Sequence, residues 1–98
     1  MLMRKKDPQN QLYRLNEDVV YRVVDDEAVI LNVAKGEHFS LNKIGTEILK
    51  FLDEKKSVPE LIAYQANKYK QKIETLKNDA VFFVDELLKS NIIEEVKE

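Results

Sequence analysis

The chain of 98 residues contains no cysteine and no tryptophan, and it has only two glycines, two prolines and one histidine. The lack of cysteine excludes a disulfide framework, a thiolate nucleophile and an iron–sulfur cluster. Two isolated glycines exclude a glycine-rich phosphate loop, and the sequence contains no serine-hydrolase or zinc-protease motif. The sequence therefore gives no support for an enzyme, and we expect a non-catalytic protein without a cofactor.

The charged residues are numerous but nearly balanced, with 16 Lys and Arg against 18 Asp and Glu and a net charge of −2. Basic and acidic residues alternate along the chain, whereas nucleic-acid binding needs a concentrated cationic face. The longest strongly apolar run, Ala80–Val84, is too short to span a bilayer. The basic N-terminus precedes no apolar segment of a signal peptide. We therefore expect a cytoplasmic protein that binds neither nucleic acid nor a membrane.

The length of the chain predicts a single domain. Residues 1–16 are polar and include Pro8, a composition typical of a mobile tail or of a segment that orders on a partner. Residues 17–98 hold nearly all the apolar periodicity, and we expect them to form the folded domain. With 44% hydrophobic residues in the chain, a modest core needs no cross-links.

Three short segments rich in β-branched and aromatic residues predict three strands, at Val19–Val24, Ala28–Ala34 and Glu37–Leu41. The polar residues 25–27 form the first turn. Gly36 lies in the second turn, where it can adopt a positive φ at little cost. We expect an antiparallel meander over roughly residues 18–41.

Three helices are predicted after the meander. Asn42 is a suitable N-cap for the first helix, and Ser57 with Glu60 forms the capping box of the second. The third helix is predicted from about residue 74 to residue 89, and residues 92–96 can add a short strand or an extended tail. Strands followed by helices indicate an α+β domain, with the helices on one face of a small sheet.

The segment around the second turn resembles a known family. Residues 29–33 read Val-Ile-Leu-Asn-Val, and residues 35–49 read Lys-Gly-Glu-His-Phe-Ser-Leu-Asn-Lys-Ile-Gly-Thr-Glu-Ile-Leu. This order of aliphatic strand, Gly turn, aromatic residue and Leu-Asn-x-x-Gly-x-x-Ile is similar to that of the pyrroloquinoline quinone biosynthesis protein D family. One departure is Leu49, where the family often has tryptophan. Gly45 is expected to allow close approach of the first helix to the sheet.

The resemblance implies a winged helix-turn-helix-like fold and a role as a recognition element for ribosomally made, modified peptides. Such domains bind the leader of the precursor peptide as an added strand beside the third strand, with contacts to the third helix. A partner enzyme, often a radical S-adenosylmethionine enzyme, carries out the chemistry. On this sequence the expected peptide-binding residues are Glu37, His38, Phe39, Ser40 and Leu41 of the strand, with Val81, Asp85 and Leu88 of the helix.

Alternative interpretations remain for single residues. Val81 and Leu88 can form the groove wall, or they can complete a broad core face. Phe82 is predicted to point away from the core, either as a contact with the enzyme or another subunit or as a single exposed aromatic residue. His38 has no carboxylate partners at a spacing suited to a metal, and we expect a surface residue and no metal site.

Two other functions remain possible at the level of the sequence. A winged helix can bind DNA with its third helix in the major groove, and Lys77, Asn78 and Lys89 suit that role. Asp79 and Glu86 on the same helix oppose it by repelling phosphate. The domain can also act as a subunit adaptor through Phe82 and the tail. The oligomeric state stays open, because exposed strand edges allow dimers.

Overall fold

The computed structural model describes residues 11–96. In chain order its elements are β1 (Tyr13–Leu15), β2 (Val19–Val24), β3 (Glu27–Asn32), β4 (Glu37–Leu41), α1 (Lys43–Asp53), α2 (Val58–Tyr69), α3 (Ile73–Lys89) and β5 (Ile93–Glu95). An antiparallel sheet with the strand order β2-β3-β4 precedes three helices, which confirms the predicted α+β class. Within the described residues, no helix is long and apolar enough to cross a membrane.

Two tight turns close the meander. Asp25 and Asp26 have φ angles of 51° and 67°, and two consecutive positive φ angles are those of the type I′ turn that joins twisted hairpin strands. Gly36 has a φ of 70° in the turn between β3 and β4. In that turn the buried side chain of Asn32 accepts a hydrogen bond from the backbone N–H of Lys35 at 3.0 Å. The predicted meander is confirmed.

The helix boundaries follow the predicted caps. The side chain of Asn42 accepts a hydrogen bond from the N–H of Gly45 at 2.8 Å and begins α1. Ser57 and Glu60 form the reciprocal capping box of α2, with the Ser57 N–H donating to the Glu60 carboxylate at 2.8 Å. α3 begins without a side-chain cap. Asn91, with a φ of 59°, follows its end in the left-handed conformation that asparagine tolerates at a helix C-terminus.

The core lies between the inner face of the sheet and the three helices. Leu49, the residue at the position where the family often has tryptophan, is fully buried. It shares this core with residues of every helix and of β3, among them Ile30, Ile48, Leu52, Leu61, Leu76, Ala80, Val84 and Leu87. A leucine thus occupies the centre of the core, and the departure from the family pattern is compatible with the fold.

The first and last strands of the described residues form a second, two-stranded sheet. β1 pairs antiparallel with β5, Tyr13 is buried, and the side-chain amide of Gln11 donates to the carbonyl of Val96 at 3.1 Å. This corrects the prediction of a mobile tail over residues 1–16 from Gln11 onward. Residues 1–10 lie outside the described residues, and that part stays a prediction. Of the two alternatives for residues 92–96, the structure shows the short strand, at Ile93–Glu95.

A partly buried polar cluster joins α1 to α2. The carboxylate of Glu47 accepts hydrogen bonds from the Gln65 amide at 2.9 Å, from the Lys68 ammonium at 2.9 Å and from the Tyr69 hydroxyl at 3.2 Å. Burial alone raises the pKa of the Glu47 carboxyl, but the hydrogen bonds from Lys68 and Gln65 outweigh burial and hold that pKa below its ordinary value. Gln65 is itself buried, so the cluster supplies it with a partner.

We expect Glu47→Gln to lower the free energy of unfolding at neutral pH by about 1–2 kcal/mol, because charge-assisted hydrogen bonds are lost. The pKa of Glu47 is lower in the folded chain than in the unfolded chain, so its contribution is present above the unfolded value of 4.5 and disappears as the pH falls through the folded value. Urea unfolding at pH of about 7 and about 3 checks this sign. The difference in the free energy of unfolding between the natural chain and the variant should be smaller at the lower pH.

The exposed Glu54, which pairs with Lys56 at 3.3 Å, supplies the matched control for that comparison. Glu54→Gln should change stability by less than about 0.5 kcal/mol at either pH. A gap for Glu47→Gln that keeps its size at low pH would contradict the assignment of the lowered pKa to this cluster.

Candidate functional site

The sheet ends in an open strand edge at β4. Within residues 11–96, β4 pairs only with β3. The N–H of Val33 donates to the carbonyl of Asp18 at 2.8 Å, which makes these two residues a hydrogen-bonded pair of the β2–β3 ladder. Hydrogen-bonded and non-hydrogen-bonded pairs alternate along an antiparallel ladder. The backbone N–H and C=O groups of Ile30 therefore point away from β2 and toward its register partner Phe39 on β4. The register then leaves the N–H and C=O groups of His38 and Ser40 pointing away from the sheet.

An apolar shelf lies beside this edge. On the inner face of β3, Ala28 and Ile30 are completely buried. Their neighbours across the register, Leu41 and Phe39, share that face but are only partly buried, although they pack against the core. The helices therefore cover the inner face of β3 completely but that of β4 only in part. Apolar surface stays exposed next to the outward backbone groups of His38 and Ser40.

A buried hydroxyl fixes the end of β4. Thr46 on α1 is 3% exposed, and its hydroxyl accepts a hydrogen bond from the N–H of Ala28 at 2.8 Å. The same hydroxyl donates to the carbonyl of Leu41 at 3.3 Å. Ala28 and Leu41 are register partners, so Thr46 closes the β3–β4 ladder and holds the last residue of β4 against α1.

The structure places the predicted residues of α3 on different surfaces. Leu88 is half-buried and lines an open cleft of about 550 Å³ with Ile93 of β5. Val81, one heptad earlier and so on the same flank of the helix, is 53% exposed. Asp85 is exposed and pairs with Lys89 at 3.1 Å. The residues from Glu37 to Leu41 thus form one edge, whereas the Leu88 flank of α3 faces the terminal sheet.

Phe83 lies on the opposite flank of α3 and points toward the start of α1. A methyl group placed on Gly45 would lie 2.9 Å from the end of the Phe83 ring, and Gly45 is three residues beyond the Asn42 cap that follows β4. The expected close approach at Gly45 is therefore made by α3 and not by the sheet. The Phe83 ring is partly buried and packs against the core. In the sequence, the one sign of this contact is the position of Phe83 at the margin of the apolar stripe of α3.

Two singled-out residues lie on the surface. Phe82 is 65% exposed, which confirms that it points away from the core, and its role as a contact stays a prediction. His38 is exposed on the outer face of β4. Among the described residues, no group of three His, Asp or Glu side chains is arranged to hold a metal ion.

Comparison with known proteins identifies the family. The model of coenzyme PQQ synthesis protein D (PqqD) matches residues 27–93, which is more than half of the chain. A solved structure described as TbiB1 in complex with the TbiA(beta) leader peptide is 26% identical and superposes with a TM-score of 0.80, covering 87% of this chain and 99% of that chain.

A second structure is described as lasso peptide synthetase B1 complexed with the leader peptide. It is 20% identical, with a TM-score of 0.79, and covers 84% of this chain and 96% of that chain. At this identity the likeness speaks for the fold alone. No curated protein matches the chain. The family model covers the chain from β3 to the end of α3 and the first residue of β5. It agrees with the resemblance read from residues 29–49, so the chain belongs to the PqqD family.

Proposed function

We propose that this chain is a non-catalytic module that binds the leader segment of a ribosomally made precursor peptide by strand addition at β4. The observation that carries the proposal is the open β4 edge, with four outward backbone groups beside the half-buried Phe39 and Leu41. An open edge next to apolar surface is what β-augmentation requires. The two similar structures are both complexes with a leader peptide, which supports the same role here.

The register dictates the form of the added strand. The N–H and C=O groups of His38 and Ser40 offer four hydrogen bonds to an antiparallel peptide. Peptide residues opposite Phe39 and Leu41 would then point inward and lie two positions apart, because side chains alternate along a strand. We therefore propose that the leader carries apolar residues at positions i and i+2.

The backbone bonds alone give weak binding. Four bonds contribute about 2–6 kcal/mol in total, whereas association costs at least about 4 kcal/mol in lost freedom. Burial of the two inward apolar side chains must therefore supply most of the net affinity. We expect a dissociation constant in the micromolar range, which corresponds to a binding free energy on the order of −8 kcal/mol.

We propose that the Phe83 flank of α3 forms the second wall of the groove. Phe83 lies beside the start of α1, while Leu88 faces β5, which supports this choice. The wall of Val81, Asp85 and Leu88 stays the alternative prediction. Asp79 and Glu86 lie four residues before and three residues after Phe83, both exposed, and helical spacing places them on its flank. A leader with a basic residue near its apolar pair would match this charge.

The proposed role needs a catalytic partner. The family resemblance implies a modifying enzyme, often of the radical S-adenosylmethionine class, and we propose that the exposed Phe82 contributes to that contact. Precursor peptides are made by ribosomes in the cytoplasm, so this role places the chain there. No observation favours the DNA-binding alternative, because Asp79, Asp85 and Glu86 on the exposed part of α3 repel phosphate.

An NMR titration tests the proposal. The ¹⁵N-labelled full chain is titrated with a synthetic leader peptide of a precursor from the same organism, and with a control peptide whose alternate apolar residues are replaced by serine. We expect saturable shifts at β4 and around Phe83 with the natural leader only. Shifts at β4 together with Leu88 and β5, but not around Phe83, would favour the wall of Val81, Asp85 and Leu88. The absence of any shift at β4 for all leaders would overturn strand addition.

A further inference from the structure

The sheet has a second open edge at β2. Within the part of the chain that the structure describes, β2 pairs only with β3. Its sequence, Val-Val-Tyr-Arg-Val-Val, has no proline and a single charge at Arg22. Natural edge strands are usually protected by charges, proline or bulges, and this edge lacks most of that protection. Val20, Val23 and Val24 are also 53%, 39% and 53% exposed.

The hydrogen bonds within the chain define which backbone groups of β2 are free. Asp18 and Val33 form a hydrogen-bonded pair, and such pairs alternate along the ladder. The backbone N–H and C=O groups of Val20, Arg22 and Val24 therefore point toward β3. Those of Val19, Tyr21 and Val23 point away from β3, toward the open edge. The N–H of Val19 already donates to the carbonyl of Asn16 at 2.9 Å. With respect to the rest of residues 11–96, the free donors at this edge are the N–H groups of Tyr21 and Val23, and the free acceptors are the carbonyls of all three outward residues.

We propose that two copies of this chain associate through β2, antiparallel about a two-fold axis that passes beside Tyr21. In this register Tyr21 pairs with Tyr21 of the second copy, and the N–H of Val23 donates to the carbonyl of Val19 across the axis. The arrangement uses both free donors of each copy, and its isologous symmetry satisfies both edges at once. A second copy is thus a strand whose free groups match this edge in number and position.

The side chains select this register over the neighbouring one. With the axis beside Tyr21, Val20 lies directly opposite Arg22 of the second copy, and the apolar stem of the arginine can cover the exposed valine. On the inner face, Val19 lies opposite Val23. Moving the axis beside Arg22 also allows four hydrogen bonds, but it places two guanidinium groups opposite each other, and like charges in that position destabilise a sheet.

The proposed dimer leaves the β4 edges free. A two-fold axis perpendicular to the sheet gives the strand order β4-β3-β2-β2-β3-β4, with both β4 edges at the outside. The dimer does not depend on the leader-binding proposal, because each uses a different edge.

Sedimentation velocity on the full chain between about 10 µM and 1 mM tests the proposal, since a few backbone bonds and small apolar contacts place the dissociation constant in this range. We expect a concentration-dependent dimer. Val23→Pro removes a free donor without breaking the β2–β3 ladder and should raise the dissociation constant at least about tenfold. Ser40→Pro, the matched change at the other edge, should leave the dimer unchanged.

A pair of charge variants tests the register without altering the backbone. Val20 is exposed, so both variants should fold. Val20→Lys faces Arg22 of the second copy and should weaken the dimer about three- to tenfold, whereas Val20→Glu should strengthen it by a similar factor. A monomer at every concentration would overturn the proposal. So would a dimer that Val23→Pro leaves intact, or one that responds equally to the two charge variants.

Discussion

Ser40→Pro is expected to weaken leader binding at least about 30-fold while leaving the chain folded. The N–H of Ser40 points away from β3, so proline removes a donor that only an added strand would use. The peptide carbonyl that faced it would then be buried without a partner, and losing the bond with that penalty costs about 2–4 kcal/mol. That energy corresponds to about a 30-fold or larger drop in affinity.

The fold should tolerate this proline because no hydrogen bond among residues 11–96 depends on the Ser40 N–H. Ser40 is exposed, and Phe39 before it is already extended, as the residue before a proline prefers. Isothermal titration calorimetry with the synthetic leader, together with a thermal melt, separates affinity from folding. Ser40→Ala keeps the backbone donor and should bind normally. Val23→Pro places the same residue at the β2 edge and should also bind the leader normally.

The comparison of the two prolines makes the result specific. If a folded Ser40→Pro chain binds the leader with unchanged affinity, β4 is not the binding edge. If both prolines weaken binding equally, the effect comes from the sheet as a whole and not from the β4 edge.

Local signals were sufficient for most of the fold. The type I′ turn at Asp25 and Asp26 and the N-cap at Asn42 act over two to four residues, so the sequence predicts the elements that they bound. β1 escaped prediction because its three residues gain their stability from β5, whose residues lie about 80 positions later. A strand this short has no periodicity of its own to detect.

The candidate site was only partly predictable for a related reason. The meander order leaves β4 at an edge, and order is readable from turn spacing. Which flank of α3 lies toward that edge depends on the rotation of the helix about its axis, and Phe83 and Leu88 both border the same apolar stripe. The packing of Phe83 against Gly45 is what favours the Phe83 flank for the proposed groove, and the sequence does not show that contact. The buried Gln65 was missed similarly, since its partner Glu47 lies on another helix.

Thr46→Val is expected to lower the free energy of unfolding by about 2–4 kcal/mol. Valine keeps the shape of threonine but leaves the N–H of Ala28 and the carbonyl of Leu41 without the hydroxyl that joins them. Each buried group that loses its partner costs about 1–3 kcal/mol. Thr46→Ser keeps the hydroxyl and loses one methyl group, so it should cost no more than about 1–1.5 kcal/mol. Urea unfolding with constant m-values measures both changes.

Thr46 also connects stability to the proposed function. Its hydroxyl holds the carbonyl of Leu41, so its removal should free the end of β4 nearest α1 while leaving the Glu37 end paired with β3. Hydrogen exchange should therefore accelerate in Thr46→Val first at the N–H of Ala28, the donor that loses its acceptor. Leader affinity should fall several-fold in the folded variant, because an edge strand that frays is a poorer template for an added strand. A variant as stable as the natural chain would show that water replaces the hydroxyl at this site.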